Sequence, residues 1–165
     1  MKYYGKRSMS SVLKKTLDVI LIVGVIATIL IFKSVILGKV SEEISMSKKV
    51  LITVLLAVGI CCVFLIVFNL IKVLNSLVNS NPFVVSNVII LKRVSMQCFA
   101  IAFCYIINFI FNSNLKEFQF IYVDNKGVHT DMEFIIFIFA GCFIYILSKV
   151  FQQAIDYKDE NDFTV

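Results

Sequence analysis

The chain has 165 residues, 59% of them hydrophobic, with a mean hydropathy of +0.91 and a formal net charge of +5. That apolar share exceeds the roughly 45–50% of soluble domains, and a single domain of this length has no core large enough to hide it, so a water-soluble globule is excluded. The cations lie at the ends of apolar runs instead of forming a stripe interleaved with aromatics. This points to membrane orientation and contact with anionic lipid, and away from direct nucleic-acid binding.

In chain order, a short basic segment (Lys2, Lys6, Arg7, Lys14, Lys15) precedes an apolar run over residues 17–37. The run is longer than the core of a signal peptide and no small-residue cleavage site follows, so it reads as a first transmembrane helix. Asp18 stands three and four residues after Lys15 and Lys14, a spacing that allows an ion pair on one face. Lys33, near the far end, can extend its ammonium to the opposite interface. Gly24 and Thr28 form a small-xxx-small pair suited to close approach of a neighbouring helix. A polar link over 38–49 leads to a second span, 50–71, whose 22 residues carry no charge and are long enough for a hydrocarbon core of ~30 Å. All five cysteines (Cys61, Cys62, Cys98, Cys104, Cys142) fall inside apolar runs without metal-ligand spacing, so they read as small polarizable packing residues.

The only proline, Pro82, lies in the stretch that separates the two hydrophobic halves. Asn81 is placed to cap a helix beginning with Pro82 at its first position, where a missing N–H costs nothing. The third span is expected over 94–111, with Lys92 and Arg93 at the membrane boundary, because two adjacent cations inside hydrocarbon would cost about 2.5–3.5 kcal/mol each. Within or near the spans, Gln97 and Asn108 are expected to hydrogen-bond a neighbouring helix. Residues 112–131 form the longest polar connection. There, 118–123 is aromatic and β-branched, Asp124-Asn125-Lys126-Gly127 signals a turn, and Val128-His129-Thr130 follows; this predicts a small β-hairpin. His129, the only histidine, with Asp124, Asp131 and Glu133 nearby, reads as a solvated residue and not as a metal ligand. The fourth span is 132–148, closed by Lys149, and the helix is expected to continue with Val150, Phe151, Ala154 and Ile155 on one face before a tail from Tyr157 to Val165.

These spans predict an all-α, antiparallel four-helix bundle occupying the whole chain, 1–165, with a cytoplasmic tail over 149–165. Four spans put both termini on one side. Lys and Arg then divide ten to six in favour of that side, so the N- and C-termini are expected in the cytoplasm of a multi-pass cell-membrane protein. The 75–93 segment and the C-terminal tail share that side. A contact surface is expected from Pro82, Phe83, Asn87, Lys92 and Arg93, together with Glu160, Asn161 and Asp162.

The Asn81-Pro82-Phe83 loop, followed by Asn87 and the basic Leu91-Lys92-Arg93, and the ending Glu160-Asn161-Asp162-Phe163-Thr164-Val165 together carry a resemblance over nearly the whole chain. The chain resembles a bacterial four-helix membrane protein family catalogued as domain of unknown function 2975. Phe163 stands where that family usually has Leu, and Val84 and Val85 stand where acidic residues often follow the Pro-Phe. Members are often encoded beside a small helix-turn-helix DNA-binding protein. The resemblance therefore implies a non-enzymatic membrane partner that holds or releases a transcriptional regulator, with no known ligand; no cofactor and no metal are expected from the residues.

Three other functions compete. A small transporter or channel subunit would need a membrane-embedded carboxylate for proton coupling, and only Asp18, at the edge of its span, is available. An intramembrane enzyme would need a base beside Cys61 or Ser95, and no His, Asp or Glu lies in mid-span. An immunity protein against a membrane-active peptide would use the 112–131 loop. The expected partners are the lipid bilayer, a cytosolic DNA-binding regulator and a second copy of the chain in a homo-oligomer.

Overall fold

The computed structural model describes residues 8–37, 45–79, 82–112, 122–124, 127–129 and 132–162. Four long helices dominate: α1 (Met9–Leu37), α2 (Met46–Val78), α3 (Val85–Asn112) and α4 (Glu133–Asp162). Between α3 and α4, β1 (Tyr122–Asp124) and β2 (Gly127–His129) pair antiparallel, with Tyr122 opposite His129 and Asp124 opposite Gly127. All four helices are long and apolar enough to cross a membrane. A helix satisfies every interior backbone group within its own segment, which is why a chain of this composition adopts this architecture.

Each helix packs on the next in sequence, with the closest association between α3 and α4, then α2 and α3, then α1 and α2. Asn69 of α2 meets Gln97 of α3, and Ser76 meets Asn87. Tyr105 of α3 meets Phe137 of α4, Ser95 meets Gly141, and Phe83 just before α3 meets Phe151. Across these α2–α3 and α3–α4 contacts, residue numbers rise along one helix as they fall along the other.

The core lies along α3, where Leu91, Val94, Cys98, Ile101 and Ala102 are buried. Small residues and hydroxyls set the tightest approach. Ser95 is fully buried, and its Oγ donates to the Gly141 carbonyl of α4 at 2.8 Å. A Cβ at Gly141 would stand 2.9 Å from the Phe99 ring. On the other side of the row, the Gly24–Thr28 pair lies at the α1–α2 contact: a Cβ at Gly24 would reach the Phe64 ring at 3.4 Å. Hydroxyls elsewhere fold back onto their own helices, as in Thr28 Oγ1 to Gly24 O and Thr53 Oγ1 to Lys49 O, both 2.8 Å, which removes an unsatisfied donor from an apolar setting.

Several local expectations are corrected. The third helix begins at Val85, not at Pro82; residues 82–84 are irregular, and the Asn87 backbone N–H bonds the Val84 carbonyl at 2.9 Å. The cap assigned to Asn81 lies outside the described residues. The helix also runs without interruption through Lys92 and Arg93, so the helix start and the polar boundary are different places. The fourth helix does not give way to a tail at Tyr157 but continues to Asp162. Residues 163–165 lie outside the described residues. Asp18 is exposed, and no ion pair joins it to Lys14 or Lys15 among the described residues; on an open helix face such a pair contributes only a few tenths of a kcal/mol against the entropy of two long side chains.

Candidate functional site

The stretch from Pro82 to Arg93 is held from inside by one residue. Asn87 is 1% exposed. Its Nδ2 donates to Ser76 Oγ at the end of α2 and to the Pro82 carbonyl at 2.7 Å. Ser76 Oγ passes the chain on, donating to Val73 O at 2.7 Å. The amide therefore ties the irregular 82–84 segment and the start of α3 to the last turns of α2. Asn87 belongs to the scaffold and not to the contact surface expected from the sequence, because both amide hydrogens point inward.

The remaining expected residues divide between two helices. Phe83 keeps 42% of its surface exposed while its ring packs on Phe151 of α4, centroids 5.8 Å apart. Pro82 is half-buried, and Lys92 and Arg93 are exposed. On α4, Ile155 is buried, whereas Asp156, Tyr157, Lys158, Asp159, Glu160 and Asn161 are exposed. Asp156 Oδ1 accepts a bond from Gln152 Nε2 at 2.8 Å. The structure thus brings the Pro82-Phe83 corner against α4 through Phe151, and places the acidic end of α4 about one to three turns further along the same helix. Asp162 ends α4. The i, i+4 spacing of Phe151 and Ile155 on one helix face is the sequence signal for this packing.

A cationic belt was not legible residue by residue. Asn69 Nδ2 donates to Gln97 Oε1 at 3.3 Å across the α2–α3 seam. Lys72 lies three residues beyond Asn69 and Arg93 four residues before Gln97, so each stands about one turn from that bond on the same face and at the same depth. Gly24 and Phe64 fix the α1–α2 register. Eight residues on from Phe64 is Lys72, and nine or ten residues back from Gly24 are Lys15 and Lys14, about 12–15 Å along each helix. Three neighbouring helices therefore carry cations at one depth. Lys72 Nζ lies over the Phe68 ring at 4.4 Å and Lys149 Nζ over the Tyr145 ring at 5.6 Å, contacts suited to an aromatic collar at an interface.

In the opposite half of the molecule, α2, α3 and α4 enclose a cleft of about 300 Å³ lined by Leu56, Gly59, Ile101, Tyr105, Asn108 and Phe137, among others. Gln97 bonds a neighbouring helix as expected, and Asn108 lines this cleft. All five cysteines are free thiols on helices. Among the described residues, no group of three or more His, Cys, Asp or Glu is placed to hold a metal ion; the His129 side chain lies outside what is described.

Four apolar helices of this length, each packed on the next in sequence, define a multi-pass helical membrane class of protein. The chain belongs to the family described as "Protein of unknown function (DUF2975)", whose model matches residues 39–165. The match takes in α2, α3 and α4 and stops short of α1, whereas the sequence resemblance was expected to cover nearly the whole chain. No curated protein and no solved structure matches it.

Proposed function

We propose that this is a non-enzymatic regulatory protein of the cell membrane, an antiparallel four-span bundle with both termini in the cytoplasm, whose cytoplasmic face engages a basic, DNA-binding regulator. The observation that carries this reading is the end of α4. The helix runs on past its apolar segment and presents Asp156, Asp159 and Glu160 on an exposed, ordered rod. Carboxylates on a fixed helix lose little freedom on binding, and opposite charge steers a basic partner toward them. The exposed part of Phe83 adds an apolar anchor beside Phe151. The cationic belt at one depth supports the orientation, since cytoplasmic flanks carry the excess of Lys and Arg. A small helix-turn-helix partner is the kind of regulator that the family resemblance implies.

The test is affinity purification of the full chain in mild detergent after crosslinking in cells, with mass spectrometry of what is captured. The expected result is a basic DNA-binding protein retained by the native chain and lost with the double variant Asp159→Lys, Glu160→Lys. Absence of any such protein, or equal capture by the variant, would overturn the reading.

A further inference from the structure

We propose that the α2–α3 seam holds the phosphate of an anionic phospholipid between Lys72 and Arg93. The two side chains flank the Asn69–Gln97 bond at one depth on adjacent helices. Both residues are exposed, and among the described residues no carboxylate pairs with either. Two cations about one turn from the same bond on neighbouring helices, one a guanidinium with a planar fork of donors, would together hold one phosphate.

The surroundings select a lipid over a free anion. On α2, Phe68 and Leu65 lie four and seven residues from Lys72 on its own face, in the direction away from the chain termini; on α3, Met96 lies three residues beyond Arg93. All three are exposed, at 51%, 45% and 60%. A head group bound at the cations would lay its acyl chains along this apolar track. Lys72 already rests its ammonium over the Phe68 ring, so the aromatic body and the charge face the ligand together. Lys149 is a cation of the same end of the molecule, but it is on α4 and outside this seam, which makes it the natural control. The proposal does not rest on the regulatory partner, although Arg93 also belongs to the contact surface expected from the sequence.

Native mass spectrometry of the full chain, released from micelles containing either phosphatidylglycerol or phosphatidylcholine, reads the site directly. The native protein is expected to retain phosphatidylglycerol preferentially. Lys72→Gln and Arg93→Gln should each weaken that binding about fivefold, and the pair about 30-fold, from the usual worth of a basic residue at an anionic surface. Lys149→Gln and the charge-keeping pair Lys72→Arg, Arg93→Lys should keep it, with helix content by circular dichroism unchanged in all variants. Unaltered phosphatidylglycerol binding in Lys72→Gln, Arg93→Gln would overturn the proposal. So would an equal loss in Lys149→Gln, which would mean a diffuse belt, or displacement of the lipid by inorganic phosphate at matched concentration, which would mean a site for a free anion.

Discussion

Asn87 and Gln97 are both polar side chains on an apolar helix, yet the structure gives them different weights. Asn87 is buried, holds two acceptors and joins three pieces of chain. Asn87→Ala should therefore lower stability by about 1–3 kcal/mol, the cost of leaving a buried carbonyl without its partner. Asn87→Asp should do worse, because it replaces both donors with acceptors facing the Pro82 carbonyl. The Asn69–Gln97 bond is long at 3.3 Å and only part-buried, so Gln97→Leu should cost about 0.6 kcal/mol, the average for such bonds between membrane helices. Thermal unfolding of the variants in micelles separates the two cases. At Gly141 two effects oppose each other. Alanine gains about 1 kcal/mol of helix propensity but must push the Phe99 ring aside. Gly141→Ala is expected near neutral, and Gly141→Leu to destabilise by about 1–3 kcal/mol through overpacking of the α3–α4 contact. Nothing in the sequence distinguishes Asn87 from a surface asparagine, since its partners Ser76 and Pro82 become neighbours only when α2 and α3 pack.

At the scale of elements, the apolar runs announced the four helices because hydropathy over about twenty residues is a strong signal. Their ends were less visible. The second run closes at Lys72, but α2 continues to Val78 because Val73, Leu74 and Leu77 extend the pattern and no Gly or Pro interrupts it. The fourth runs to Asp162 for the same reason, with Ile155 buried and the acidic residues turned outward. Pro82 is favoured at a first helical position, yet here its carbonyl is held by Asn87 and the helix begins only at Val85. The Phe83–Phe151 contact joins this corner to α4. A double-mutant cycle on Phe83→Ala and Phe151→Ala should give a coupling of about 0.5–1.5 kcal/mol. A coupling near zero would mean that the corner and the α4 extension are independent.

For the whole molecule, α1 stands apart. It packs on α2 alone among the stronger helix contacts, and the family match begins after it. The face proposed for the regulator, Phe83 and the end of α4, lies within the matched part of the chain. The cationic belt implies an orientation that is checked by reporter fusions. Green fluorescent protein should fluoresce when fused to either terminus, and alkaline phosphatase at either terminus should stay inactive; the reverse pattern would place the acidic end of α4 away from any cytosolic regulator.

The most direct measurement is photo-crosslinking from Tyr157 in living cells. This side chain is 66% exposed on α4, two residues before Asp159. With a photoreactive amino acid at that position in the full chain, irradiation should give one adduct containing a small basic DNA-binding protein. The adduct should disappear when Asp159 and Glu160 are changed to lysine. Crosslinks to lipid or to a second copy of the chain alone would contradict the account.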